Sequence, residues 1–227
     1  RRMNSTDQDP RHISQLLMDQ VEFANVLILN KCDLVKDKEA ISRLSSLLTH
    51  LNPDAKQVQA THAKVPLDKL LNTKLFDLVK ASKSPGWLKE IQGQHVPETV
   101  QYGISSFVFQ SQRPFHPQRL ATCLRESKSL HGVVRSKGFC WLACEMTWRV
   151  LWNHAGGVFN LTVFEPFLAM VRPSLWPSDM QRRADTVLQD PAVWHCKWGD
   201  RAQKVVLIGI GLDRQELISQ LEKCLLT

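Results

Sequence analysis

The six cysteines contain no Cys-x-x-Cys pair, and the chain starts on nothing that resembles a secretory signal. In 227 residues, so sparse and unpaired a usage points to reduced thiols in a cytosolic or organelle-matrix setting. No apolar run approaches the roughly 18 residues of a membrane span, so no membrane partner is expected. Basic residues are never concentrated. Arg113, Arg119, Arg125, Arg135, Lys137, Arg182 and Arg183 form no block, and no aromatic-interleaved RNA motif occurs. The net charge of +7 therefore permits polyanion partners, nucleotides included, without arguing for nucleic acid. No Ser-His-Asp or Cys-His constellation can be placed from spacing, and no pair of carboxylates stands out. This argues against an independent hydrolase. Arg1 to Pro10 open mid-pattern, as a piece of a longer chain or a start at Met3 would.

What is present suffices for a real core, with 43% hydrophobic residues in one large domain or two small ones. The most informative stretch is Val26-Leu27-Ile28-Leu29, which opens into Asn30-Lys31-Cys32-Asp33. A short apolar run ending in a polar turn reads as a buried strand of a parallel sheet, and such sheets bind ligands at the carboxyl ends of their strands. Asn-Lys-x-Asp at that position resembles the guanine-recognition motif of GTPases. An ionised Asp33 is acceptor-only and can take two hydrogen bonds from the guanine N–H edge, which adenine does not offer. Asn30 can brace the loop, and the Lys31 stem can lie across the base plane. The competing reading is local, with Asp33 or Asn30 as a helix N-cap.

Asp9-Pro10 reads as a helix start, followed by Ile13, Leu16, Leu17, Val21 and Ala24 at helical spacing. A second helix buries Ile41, Leu44, Leu47, Leu48 and Leu51 and stops at Asn52-Pro53. Lys56–Ala60 is a short strand. Leu67, Leu70, Leu71, Phe76 and Val79 predict a closing helix pair. Residues 1–80 are thus an α/β unit with a parallel sheet, of which more is expected upstream because two strands do not stand alone. Residues 81–100 read as a linker. From 101 to 227 the order is strand, helix, several strands, a long connection over 166–192, a strong strand over Lys204–Ile210, and a helix capped by Asp213. That predicts an α+β unit whose mainly antiparallel sheet is covered on one face. Gly209 and Gly211 mark a close approach or bulge.

The second unit then resembles something specific. Tyr102 to Phe109, Arg113-Pro114-Phe115-His116-Pro117, Gly132 to Ala143, Ala155-Gly156-Gly157, Gly199-Asp200-Arg201 and Leu207 to Asp213 are similar to the C-terminal domain of the CobW-type GTPases. Asp19 to Leu34 is similar to the last third of that family's GTPase domain. The resemblance implies a partial P-loop GTPase-type sheet followed by a CobW C-terminal domain. It implies a GTP-dependent metal chaperone or insertase, with GTP and Mg²⁺ as cofactors, Zn²⁺ or Co²⁺ as cargo and a metalloprotein as client. It carries Asn30, Lys31 and Asp33 over as guanine-binding residues. The family's G-x-x-x-x-G-K-[ST] phosphate loop, whose backbone N–H groups cradle phosphate and whose hydroxyl holds Mg²⁺, has no copy among the ten glycines. Its Cys-x-Cys-Cys metal motif is also missing. This polypeptide alone is therefore expected not to hydrolyse GTP; Mg²⁺-dependent turnover in a GTPase assay would refute that. The alternative is a non-catalytic module that docks a partner through its sheet.

No catalytic or metal-ligating residue is assigned. Cys140 and Cys144 on one strand would lie about 13 Å apart, too far to share a zinc ion, and are read as core packing. His195 and Cys196 diverge on a strand and would need a third ligand. His116 reads as a turn residue. Arg135 and Lys137 read as a solvated strand edge, with contact to phosphate or a client as the functional option. Asp200 and Arg201 read as an ion pair or turn cap, and Trp141, Trp148 and Trp152 as core.

Overall fold

The computed structural model describes residues 13–77, 102–126, 130, 132–189 and 194–226. The Asp9-Pro10 helix start, Val79 and the 81–100 linker lie outside them. Helix α1 (Ile13–Phe23), strand β1 (Val26–Leu29), helix α2 (Lys38–Leu51) and strand β2 (Lys56–Gln59) follow in order. The strands pair in parallel, Val26 opposite Lys56 through Leu29 opposite Gln59. Asp37 caps α2 by accepting from the Glu39 N–H at 2.9 Å. At the other end, the buried Asn52 side chain donates to the Val21 and Ala24 carbonyls at 2.8 and 2.9 Å. Its oxygen accepts from the backbone of Asp54 and Ala55. One amide thus locks the end of α2 onto the end of α1, which fixes how the chain enters β1.

Three expectations for this unit fail. Only Leu29 of β1 is buried, and Ile28 is 44% exposed, because a two-stranded sheet gives it no facing layer among the described residues. Among the described residues the closing helix pair is a 3-10 turn, Leu67–Lys69, followed by irregular chain to residue 77; the rest of the second expected helix lies outside them. Leu67, Leu71 and Phe76 are exposed, so their helical spacing has no core to meet. Leu44, placed on the buried face of α2, is exposed as well.

The second unit comprises β3 (Ile104–Ser111), α3 (Pro117–Glu126), β4 (Val133–Leu142), β5 (Glu145–Ala155), β6 (Val158–Pro166), α4 (Ser178–Val187), β7 (Gln203–Ile210) and α5 (Arg214–Lys223). The sheet order is β3-β7-β4-β5-β6, antiparallel throughout. The β-branched β7, central between β3 and β4, is buried along almost its whole length. Period-2 alternation sends its side chains to two different cores. Val205 and Leu207 join Phe107, Phe109, Phe115, Trp152, Leu217 and Leu221 under α3 and α5. Val206 and Ile208 meet Leu51, with Met18, Val21, Leu47, Leu48 and Val108 packed around them. The sheet is therefore covered on both faces, not one. The second cover is the amphipathic α1 and α2 of the first unit, whose apolar stripes find here the layer that the small parallel sheet does not supply.

The sequence reads 166–192 as a long connection. It contains α4, hidden in the sequence because its inward stripe is narrow, with Ala184 fully buried in a polar segment. Trp148 is 41% exposed, contrary to its placement in the core; the register of β5 shifts between Trp148 and Val150, which turns it out of the alternation. Trp141 and Trp152 are buried as expected.

Gly138 lies at the crossing of β4 and β7, where a Cβ would sit 2.1 Å from the Lys204 carbonyl oxygen and 2.6 Å from the Val205 Cα. Both obstacles are backbone of the central strand. Gly138→Ala should therefore cost about 3 kcal/mol or more, at the upper end of overpacking effects. Urea denaturation measures this, and an unchanged midpoint would contradict it. Gly157→Ala is the control, since nothing lies within 4 Å of a Cβ there.

Candidate functional site

Because β1 and β2 are parallel, the loops that leave their carboxyl ends lie side by side at one edge. Backbone bonds begin the join. The Ala60 N–H donates to the Leu29 carbonyl at 2.8 Å, and the Cys32 N–H to the Ala60 carbonyl at 3.2 Å. The Asn30 side chain completes it, accepting from the Ala63 N–H at 2.9 Å. Asn30 thus braces one loop against the other. Lys31 is exposed and left-handed at φ 63°, a conformation that sends the chain sharply into the Cys32–Leu34 turn. His62 and Ala63 in the facing loop also take positive φ, at 52° and 55°. Three non-glycine residues in this sparsely populated region thus gather at this end of the sheet, and Asn72 and Lys74, both at φ 52°, follow in the irregular chain.

Asp33 stands in that edge with its side chain 33% exposed. Its carboxylate oxygen lies 4.0 Å from His62 Nε2. It is neither packed inside nor held by a helix N-terminus; α2 is capped by Asp37 instead. The structure therefore brings Asn30, Lys31 and Asp33 together on one open edge. It adds the loop Thr61–Lys64 as a second wall, which a reading of single motifs overlooked. The parallel strand pair was the available signal, since parallel strands must end on the same side.

The other candidates take structural roles. Arg135 is not a solvated edge residue, because β4 lies between β7 and β5. Its side chain is 1% exposed and donates from Nε to the Glu22 carboxylate at 2.6 Å. Nη1 donates to Asn153 Oδ1 at 2.6 Å and to the His154 carbonyl at 3.1 Å. Lys137 Nζ reaches the other Glu22 oxygen at 3.2 Å. Asp200 caps the 168–170 turn, accepting from the N–H groups of Leu168 and Ala169. His116 Nδ1 accepts from the Arg119 N–H at the start of α3. His195 Nδ1 accepts from Lys197 and Trp198 in a local turn, and Cys196 is exposed. Cys140 is buried in the core and Cys144 is exposed. Among the described residues no group of three or more His, Cys, Asp or Glu is arranged to hold a metal ion, and no helix is long and apolar enough to cross a membrane.

Beside Arg135, a hydrogen-bond chain runs from Trp152 Nε1 to Ser136 Oγ (2.8 Å) and on to His154 Nδ1 (3.2 Å). The indole donates to the hydroxyl, so the hydroxyl hydrogen is free to donate to a neutral imidazole. Burial lowers the His154 pKa, and the Arg135 charge adds to that. With its folded-state pKa below the unfolded value of about 6.5, His154 adds stability above that pH, and this is lost as pH falls through the folded value. Denaturation midpoints should drop below about pH 6.5, with this histidine's share limited to about 1.4 kcal/mol per pH unit. In His154→Gln that share of the slope should vanish; an unchanged profile would remove His154 from the account.

A parallel β-α-β end with an open polar edge, tied to a five-stranded antiparallel domain, makes this a two-part protein, an α/β unit followed by an α+β unit. Residues 104–225 match the model for the "Cobalamin synthesis protein cobW C-terminal domain". Residues 2–59 match that for the "CobW/HypB/UreG, nucleotide-binding domain". The chain belongs to the CobW family. It is 43% identical over 228 residues to the zinc-regulated GTPase metalloprotein activator 1 of Dictyostelium discoideum, covering 99% of this chain and 46% of that protein. It is 25% identical over 234 residues to the zinc chaperone Rv0106 of Mycobacterium tuberculosis, covering 96% and 51%. The chain spans about half the length of the curated relatives it matches. The Zn(II)-bound YjiA GTPase from E. coli is similar at 20% identity and a TM-score of 0.40, over 91% of this chain and 54% of that one.

Proposed function

We propose that this chain supplies the guanine-reading edge and the C-terminal domain of a GTP-dependent metal chaperone. Asp33 accepts the guanine N–H pair, Asn30 holds the loop that presents it, and the Lys31 stem covers the base. The observation that carries this is the Asp33 carboxylate, one-third exposed at the carboxyl end of a parallel strand, in a loop that Asn30 braces against its neighbour. Residues 1–80 then form the end of the nucleotide-binding domain, 81–100 the linker and 101–227 the C-terminal domain. The names of the two relatives support zinc as the cargo, and that of the first supports a client metalloprotein. Mg²⁺ would accompany the phosphates, and cobalt is the other metal in the class implied by the resemblance. Family membership and the open edge together favour this over a purely non-catalytic docking module.

Competitive binding of GTP, ITP and ATP tests the reading in a polypeptide that joins this chain to a phosphate loop. GTP presents two donors to Asp33, ITP one and ATP none. Each hydrogen bond to a charged group contributes about 1.5–3 kcal/mol, so affinity should fall by roughly tenfold or more at each step. Equal binding of GTP and ATP would overturn the assignment.

A further inference from the structure

Cys123 lies on α3 and Cys224 immediately follows α5. Their thiols lie close enough to bias each other's ionisation. The surrounding chain shows the same closeness independently. Cys224 Sγ lies 3.6 Å from the carbonyl oxygen of Arg119, one helical turn before Cys123, and 3.2 Å from that of Gln220. The Cys224 carbonyl accepts from the His116 N–H at 2.8 Å, the Leu226 N–H donates to the Pro114 carbonyl at 2.8 Å, and Phe115 bridges to Leu225. The segments that carry the two thiols are thus stapled together by backbone bonds. Their exposure differs: Cys224 is buried and Cys123 half-buried. Both line an open cavity of about 700 Å³, together with His116, Arg119, Glu126 and Lys223.

We propose that Cys123 and Cys224 form a reversible dithiol–disulfide site for hydroperoxide-class oxidants, with Cys123 the attacking thiol and Cys224 the resolving one. The Cys123 thiolate attacks one oxygen of hydrogen peroxide. The O–O bond breaks, an S–O bond forms, and the departing hydroxide takes up the proton that the thiol gave away, leaving water. The Cys224 sulfur then attacks the sulfenic sulfur. An S–S bond forms, the S–O bond breaks, and the hydroxide that leaves takes the Cys224 proton as a second water. Two thiols lose two electrons in total and one peroxide gains them. A small-molecule thiol reverses the step by exchange. The acid–base setting fits these roles. The neighbouring Cys224 thiol brings Cys123 down to about 7 against the opposing effect of burial, while Cys123 and burial push Cys224 up. Cys140, by contrast, is sealed in the core and pushed by burial up to about 12.

The site lies under α3 and α5, on the face of the sheet opposite α1 and α2, so its test is independent of the guanine edge. The test treats the intact chain with hydrogen peroxide, blocks remaining thiols with N-ethylmaleimide and maps peptides without reduction. The expected result is one linked Cys123–Cys224 pair, lighter than the two thiol peptides by two hydrogens and released by dithiothreitol. Cys224→Ser should abolish the link and leave a Cys123 sulfenic acid that dimedone traps. In Cys123→Ser, Cys224 should stay reduced. The exposed Cys144 and Cys196 serve as internal references. If Cys123 and Cys224 both remain alkylatable at peroxide levels that oxidise those two, the proposal is wrong. The wild-type map decides this even if a variant fails to fold.

Discussion

Glu22→Gln should be the most damaging single polar substitution in this chain, with a stability loss of about 3–5 kcal/mol. Glu22 has 2% of its side chain exposed and meets two cations, Arg135 at 2.6 Å and Lys137 at 3.2 Å. Arg135 is 1% exposed, and Asp19 stands 3.7 Å from its Nη2, which makes no hydrogen bond among the described residues. Removing the Glu22 charge therefore takes away the carboxylate that both cations share, at a place where Arg135 has almost no water to solvate it. Arg135→Met should cost less, because Lys137 still neutralises Glu22. The double variant Glu22→Met/Arg135→Met should recover much of the loss, since a buried pair exchanged for packed apolar groups is often close to neutral. Urea melts of the wild type, Glu22→Met, Arg135→Met and the double variant close this cycle, with Glu22→Gln as the companion that keeps the shape. Single variants that unfold with the wild type would show the cluster to be energetically idle. The consequence reaches past stability. Glu22 is on α1, which runs directly into β1 and Asn30, while Arg135 is on the C-terminal sheet. This cluster is the polar joint between the candidate nucleotide edge and the C-terminal domain.

Asp33→Asn should lower GTP affinity by about 10²–10⁴-fold in a polypeptide that also carries a phosphate loop. The substitution keeps the shape but turns one of two acceptors into an N–H₂ donor, which meets the guanine N–H edge donor to donor. Xanthosine nucleotides carry an oxygen where guanine carries its exocyclic amine. They should bind the variant better than the wild type, because the amide can donate to that oxygen and no carboxylate repels it. This crossover distinguishes base reading from a loss of fold, which would weaken both nucleotides alike. Were Asp33→Asn to bind both as the wild type does, Asp33 would not contact the base. Asn30→Ala serves as a graded companion: it removes the acceptor for the Ala63 N–H and should loosen the edge without changing base preference.

Much of the architecture could be read one window at a time. The apolar run of β1 ending in Asn30-Lys31-Cys32-Asp33, the stop at Asn52-Pro53, the β-branched run of β7 and the Asp213 cap, which accepts from the Glu216 N–H at 3.0 Å, all stand where short-range chemistry puts them. Each depends on neighbours within a few residues, so the code is local. The guanine-type motif belongs to the same class, being four consecutive residues at a strand end.

Other features required the folded chain. The Glu22–Arg135 pair joins residues 113 positions apart, and nothing near either residue announces the other. Arg135 looked like a solvated strand residue until β7 and β5 closed on both sides of β4. The apolar stripes of α1 and α2 were legible as buried faces, but not that they would cover the second unit's sheet. Periodicity states that a face must be buried and is silent on what buries it. The sequence alone thus determined most of the elements, several of their caps and which residues stand at the end of β1. Tertiary structure alone decided which faces met and which charges were sealed between them, because burial and ion pairing depend on neighbours that only the completed sheet brings together.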